Sequence, residues 1–249
     1  MGFRNLALSA GVLLLLLLAL GGVARADDIE QLQREVTAAE NTYKEAIRAE
    51  TRAAESLKDN LEKQKSASDA EKARLKSEAV KLDEAARKAG AARMQAAETL
   101  ADKRGALRAE ASKVAEEQIT AQGDANNRTR KAGEALGTWS AALGALPGVP
   151  TKTDTSSVAD PAVCAAIKQD DKARFNAYIS WAGGEQSRLD TEIKRAENLI
   201  KNDAKFAGAD GHKRLMDEAK SLKSTLENRK KDVGELLKTA RERLASLDR

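Results

Sequence analysis

Cysteine, histidine, proline and aromatic residues are all scarce in this chain of 249 residues: one Cys, one His, three Pro, and 3% Phe, Trp and Tyr together. A single cysteine, Cys164, excludes a disulfide framework and any cysteine-based metal centre. The lone histidine, His212, has no second His or Cys to complete a metal site, and Asp210 alone does not make one. We read it as a surface-turn residue at a helix start. So few aromatics exclude a stacking platform for single-stranded nucleic acid. With so little proline and 33% of residues charged, a compact mixed fold is disfavoured against long solvated helices.

Charge of one sign is also missing. The formal net charge is +4, with 43 basic and 39 acidic side chains. If Arg4 and Arg25 are lost with a leader, 41 basic groups face the same 39 acidic ones and the net falls to +2. That balance gives no reason to expect nucleic acid or an anionic surface as partner. No strand pattern competes with the helical one anywhere.

What is present begins at the N-terminus. Arg4 precedes the apolar run Leu6–Leu20, Ala24-Arg25-Ala26 supplies the small residues of an A-x-A cleavage site, and Asp27-Asp28 follow. This is the three-part pattern of a secretory signal peptide cut after Ala26. Export to the periplasm is the expectation, with a secreted protein as an alternative. A lipoprotein is excluded because position 26 is Ala, and position 6 is Leu where myristoylation requires Ser or Thr. The run from Leu6 to Val23 is just long enough to span a bilayer, so an uncleaved anchor is the other alternative.

From Ile29 the spacing turns heptad. Ile29, Leu32, Val36, Ala39, Tyr43, Ala46, Glu50, Ala53 and Leu57 alternate steps of three and four, and eight of the nine are apolar. Asn60 interrupts the stripe, and Ser68 with Glu71 reads as a capping box. The absence of Gly and Pro between Asp27 and Ala89 favours one continuous helix, with a turn at residues 66–69 as the alternative. Leu75, Ala79, Leu82, Ala86 and Ala89 resume the stripe before Gly90, which reads either as a helix cap or as a tolerated interior glycine. A further helix is expected from about Ala91 to Gln122.

Residues 123–144 hold Gly123, Gly133, Gly137 and Asn126-Asn127, and read as looser helix. Gly144–Asp160, with Pro147, Gly148, Pro150 and a Thr/Ser run, is the clear linker. Asp160-Pro161 restarts a helix as N-cap and first position. Gly183-Gly184 is a bend site, and Gly208–Gly211 the second break. The last helix follows Leu215, Ala219, Leu222, Leu226, Arg229, Val233, Leu236, Ala240, Arg243 and Leu247. The predicted organisation is a signal peptide (1–26), long coiled-coil helices (27–122), a looser segment with linker (123–160) and a C-terminal helical hairpin (161–249).

The fold class predicted is therefore all-α: elongated antiparallel coiled-coil hairpins with alanine-rich seams. Alanine buries little apolar area, at roughly 25 cal/mol per Å², so stability must come from seam length or oligomerisation. Residues 27–60 carry nine acidic and five basic groups, and residues 161–249 carry fifteen acidic and nineteen basic. This opposite bias favours the last helices returning onto the first; two ordinary solvated faces are the alternative.

Three features invite a chemical reading. Cys164 lies in the first turns of the helix capped by Asp160, where thiols gain reactivity. It also begins the stripe Cys164, Ile167, Phe175, Tyr178, Ala182, which makes it a small packed hydrophobe first and an intermolecular disulfide second. Asn127-Arg128-Thr129 matches a glycosylation acceptor. Gly208 to Lys213 lacks the spacing and preceding strand of a phosphate loop and reads as a turn. Four aromatics, Trp139, Phe175, Tyr178 and Trp181, flank the linker. They form either the core that closes a hairpin around it or a partner-binding patch.

No catalytic set, cofactor site or metal site is evident, and the chain is not expected to be an enzyme. The expected role is that of an exported structural or scaffold protein positioning protein partners in a cell-envelope assembly, with self-association through its coiled coil. In general pattern, with a signal peptide, a basic balance and long helical arms, the chain is similar to the Skp-like periplasmic chaperones. It shares no motif with them, is longer, and lacks their short β-rich assembly core. The resemblance implies a holdase as the alternative. A coiled-coil regulator of a cell-wall enzyme is a further one.

Overall fold

The computed structural model describes the backbone of residues 6–153 and 161–247, with side chains from residue 28 onward. The predicted leader, its cleavage site and the Asp160 cap lie outside the described side chains. The elements are α1 (Leu6–Ser66), α2 (Asp69–Glu117), α3 (Ala125–Ala141), α4 (Pro161–Lys201), a short 3-10 turn (Asp203–Phe206) and α5 (His212–Ser246). The all-α expectation holds, with no strand among the described residues. Among those residues no helix is long and apolar enough to cross a membrane.

The long N-terminal segment is two helices, not one. α1 stops at Ser66 and α2 starts at Asp69, with Ser68 as extended N-cap. The Ser68 hydroxyl makes no capping bond; its carbonyl accepts from Lys72 N at 2.8 Å. The chain therefore turns without Gly or Pro, on a polar Ser-Ala-Ser stretch with weak helix preference. Ion pairs then tie the helices together as antiparallel neighbours: Arg93 to Glu50 at 2.8 Å, Lys103 to Glu35 at 2.8 Å and Arg104 to Glu40 at 2.8 Å. These pairs also answer the acidic bias of α1. The predicted return of the last helix onto the first does not occur, because α1 spends its carboxylates on α2 while α5 packs on α4 and α3.

Asn60 does not break the seam but sits in it. It is 5% exposed, and its Oδ1 accepts from Gln64 Nε2 at 2.8 Å. Gln64 also donates to the Leu75 carbonyl across the hairpin at 3.4 Å. Gly90 lies inside α2, where an added Cβ would meet Glu50 Oε1 at 3.3 Å. α2 runs unbroken through the expected boundary at residue 90 and ends at Glu117.

The stretch read as loose is a regular helix. Asp124 caps α3 by accepting from Asn127 N at 2.9 Å, and Gly133 and Gly137 sit in α3 with open space beside them. Gly183-Gly184 likewise lie within an unbroken α4. The second break is as predicted in place: Gly208 and Gly211 both hold φ +79, a left-handed conformation that only glycine adopts without strain.

Helices α4 and α5 are antiparallel, linked by Lys230–Asp190 at 2.5 Å and Lys223–Glu197 at 3.4 Å. The lower half of α2 lies beside α4, joined by Ser112–Arg195 at 2.8 Å and Glu116–Asn198 at 2.6 Å. With α3 these make a packed body. Every member of the one hydrophobic cluster, from Ala101 to Leu247, belongs to it. Residues 41–95 stand apart as an arm of two helices, roughly 40 Å long from Asn41 to Ser66 at 1.5 Å per residue. Within the arm only Asn60 and Leu75 are buried.

Candidate functional site

The four linker-flanking aromatics come together in the body. Trp139, Phe175 and Tyr178 are fully buried and Trp181 is 8% exposed. Tyr178 and Trp181, three apart on one face of α4, hold their ring centroids 5.3 Å apart at 50°. As the chain is folded, none of the four offers a free surface. Tyr178 also fixes the linker, its hydroxyl donating to the Pro147 carbonyl at 2.8 Å. Burial, and then Glu98, push the Tyr178 hydroxyl pKa up to about 12. It is therefore a permanent donor at neutral pH.

The linker carbonyls are met one after another from α4 and α5. Arg229 donates to Gly144 O at 2.9 Å, and Arg243 to Pro150 O at 2.9 Å. Asp171 accepts from Thr153 N at 2.9 Å and from its hydroxyl at 2.8 Å, and is paired with Arg174. Prolines at 147 and 150 leave the segment short of N–H groups for internal turns, so its carbonyls are satisfied from outside. Gly144 holds φ +51 and lies directly under the Arg104 guanidinium, which also binds Glu40 of α1. Any side chain there would collide with that guanidinium.

Beneath the aromatics lies a charge cluster that the sequence reading missed. Arg108 of α2 is completely buried; its Nη2 meets Glu185 at 2.5 Å and its Nε meets Glu192 at 3.1 and 3.2 Å. Trp139 Nε1 of α3 donates to Glu192 at 2.8 Å, and Arg229 of α5 donates to Glu185 at 3.3 Å. One cluster thus binds all four helices of the body. Burial raises the pKa of Glu192 against the opposing pull of Arg108 and Trp139, and lowers that of Arg229, helped by Arg108. Arg108 Nη1 and Trp181 Nε1 are buried without a hydrogen-bond partner.

The missed residues did carry a signal. Tyr178, Glu185, Glu192 and Leu199 follow one another at intervals of seven, and all are buried. Arg229 stands on the apolar stripe of the last helix, where a charge demands a buried partner. The cluster has the chemistry of a structural junction: among the described residues no nucleophile sits beside a base in it. Among the described residues no group of His, Cys, Asp and Glu is arranged to hold a metal.

The remaining candidates separate. Cys164 is half-buried beside a cavity of about 270 Å³ bordered by Lys152, Thr153, Lys168 and Asp171, whereas Ile167, Phe175, Tyr178 and Ala182 of its stripe are buried. His212 begins α5 and pairs with Asp203 across the turn, more than 40 residues from Cys164 in sequence and on another element. The glycosylation pattern falls in the first turns of α3, where Asn127 accepts from Arg130 at 3.1 Å and Thr129 is 5% exposed. In the folded helix the threonine of that pattern is therefore buried while Asn127 is half-buried.

The arm is the other candidate. Its seam residues Tyr43, Ala46, Ala53, Leu57, Leu82, Ala86 and Ala89 are half-buried, and Ile47, Leu61 and Val80 are 38%, 48% and 68% exposed. No family model, curated protein or solved structure matches this chain.

Proposed function

We propose that the chain is an exported, non-enzymatic scaffold protein of the periplasm, an antiparallel coiled-coil arm carried on a helical body, which positions a protein partner in a cell-envelope assembly. The observation that supports it is the contrast in burial. The body closes Trp139, Phe175 and Tyr178 off from water and, among the described residues, leaves Val163 of α4 as its one exposed large aliphatic, while the arm, which buries only Asn60 and Leu75, leaves Ile47, Leu61 and Val80 exposed. On this reading the exposed aliphatics are contact points at which a partner protein packs against the arm.

The test is a photo-crosslinking amino acid placed in the full chain in its native host, at Leu61 on the arm or at Lys220 on the exposed face of α5. Adducts of one defined partner at Leu61 and none at Lys220 are expected. An arm without adducts would sink the reading.

The same exposed aliphatics favour a second reading, a holdase that shelters unfolded clients. Leu61 and Val80 lie toward the tip of the arm, where a client would be gripped. A holdase suppresses aggregation of an unrelated reduced protein at stoichiometric amounts; a scaffold does not. Mass spectrometry of the chain from its host, with a mature start at Asp27, tests the export on which both readings rest.

A further inference from the structure

The exposed aliphatics of the arm share one side of it. At 100° per residue, Ile47 and Leu61 fall to the same side of the α1 seam. Because α2 runs antiparallel, Val80 falls on that side of the hairpin too. Within helical reach of them stand four lysines. Lys44 precedes Ile47 by three residues, Lys58 and Lys65 bracket Leu61, and Lys76 precedes Val80 by four. All four are exposed and form no ion pair among the described residues. By contrast Lys72, Arg87, Lys88 and Arg93 of the same arm are all paired. Arg48, Arg52, Lys63, Arg74 and Lys81 of the arm are likewise without an ion pair among the described residues; what sets the four lysines apart is that each stands three or four residues from an exposed aliphatic.

The same side of α2 already accepts a helix lower down. Val80, Arg87, Met94, Ala101, Arg108 and Ala115 repeat every seven residues, so they form one slowly turning row. Ala101, Arg108 and Ala115 are buried, and α4 lies against this side with Glu185 and Glu192 on Arg108. Toward the tip the row opens, through half-buried Met94 and Arg87 to Val80 at 68% exposed. The intramolecular contact is thus a helix that sets carboxylates, seven residues apart, on a cation of α2 between small apolar residues.

We propose that this flank of the arm, Ile47, Leu61 and Val80 with Lys44, Lys58, Lys65 and Lys76, is the docking surface for an acidic amphipathic helix of a partner protein. The proposal rests on the scaffold reading and names the chemistry of its partner. From Ile47 to Leu61 is about 20 Å, the length of a helix of about 14 residues. Leucines of that helix cover the aliphatics and its flanking Glu or Asp residues meet the lysines. A lipid surface is the weaker fit. A helix lying in a bilayer interface needs a continuous apolar face, and here the arm's continuous stripe is turned inward to the seam. A second copy fits less well too, since it would bring the same lysines against these.

The test uses the full chain and two synthetic helical peptides with the same leucine stripe, one flanked by Glu and one by Lys, followed by fluorescence anisotropy. The Glu peptide is expected to bind and to weaken with salt. Lys58→Glu/Lys65→Glu/Lys76→Glu and Leu61→Asp/Val80→Asp should each weaken it at least tenfold, with the helix content of the protein unchanged by circular dichroism. Equal binding of the Lys peptide, no binding, or binding indifferent to both variants overturns the proposal. So does co-sedimentation with phosphatidylglycerol vesicles that the variants abolish while the Glu peptide stays unbound. A dimer in sedimentation velocity that Leu61→Asp/Val80→Asp splits would assign the flank to a second copy and overturn it as well. Adducts at Leu61 that persist in the charge-reversed chain would remove this inference and leave the scaffold reading standing. Loss of all arm adducts in the unaltered chain would remove both.

Discussion

The arm and the body are made of similar helices, yet they are held together by opposite means. In the arm, alanine-rich seams stay half-buried and the ion pairs lie at the surface, as between Arg93 and Glu50, whose side chains are 38% and 32% exposed. In the body, the ion pairs are inside, with Arg108 and Glu185 at 0%. Buried aromatics and large aliphatics, Trp139, Phe175, Tyr178 and Leu189 among them, pack in the same body. A two-helix hairpin has no third element to exclude water from its seam, so its charges can only be exposed. Four helices meeting at one level create an interior, and any charge there has to be fully partnered. Local stability should follow: the body opens only globally, the arm from its tip.

The comparison is broken most severely by emptying the body. Trp139→Ala removes the largest fully buried side chain and one donor to Glu192. It should destabilise by about 5 kcal/mol, the upper end for a large buried aromatic, and lower the thermal melt of the whole chain. The same measurement on Leu57→Ala in the half-buried arm seam should show about 1 kcal/mol. Equal losses would mean that arm and body do not differ in kind.

Next in size is Arg108→Met, which leaves Glu192 with Trp139 alone and Glu185 with Arg188 and Arg229. Leaving a buried charge unmatched costs about 3–5 kcal/mol. If the cluster acts as one unit, adding Glu192→Gln to Arg108→Met should recover part of that loss, a coupling read by a double-mutant cycle in urea. Additive losses would show that the two residues do not depend on one another. Tyr178→Phe, which removes only the bond to the Pro147 carbonyl, should cost about 1 kcal/mol.

Much of this architecture was legible from residue spacing. The stripe from Ile29 to Leu57 was legible as one face of α1, and each of its residues is buried or half-buried. The Gly208–Gly211 break was legible because left-handed turns need glycine. The turn after Ser66 was not, since it uses neither Gly nor Pro, and the polar Asn60 inside the seam concealed that the stripe continues. α3 was hidden by its glycines, which weigh against helix locally but are retained here because Trp139, Leu136 and Ala132 are buried from that helix. The charge cluster was hidden for another reason. Helical spacing says which residues share a face, but not which faces of distant helices meet, and Arg108 and Glu192 are 84 residues apart.

The cluster also gives the body a pH response opposite in sign to that of the arm. Burial is the dominant influence on Glu192 and holds its pKa above the ordinary 4.5. A raised folded-state value means that its contribution to stability is full below the unfolded value and is lost as pH rises through the folded one. The body should therefore melt at a slightly lower temperature as pH climbs from 4.5 through that raised value. Glu192→Gln should flatten the slope. In the arm, Glu84 has its pKa lowered by its bond to Lys88, so its small term runs the other way and is lost as pH falls below 4.5.

The smallest expected effect sharpens the comparison furthest, because it sets one carboxylate against another of the same type. Glu50→Gln in the arm removes the charge that meets Arg93 at 2.8 Å in a pair a third exposed. Water and salt already screen that pair, so the loss should be about 0.5 kcal/mol or less and vanish in high salt. Glu185→Gln in the body removes the charge held by Arg108, Arg188 and Arg229 together. Arg108 is closed to water and Arg229 nearly so, while Arg188 is 28% exposed, so most of the loss should persist at the same salt concentration. Melts of the two variants at low and high salt decide it. If Glu185→Gln is rescued by salt as Glu50→Gln is, the body interior is wet, and the division between a solvent-facing arm and a closed body fails.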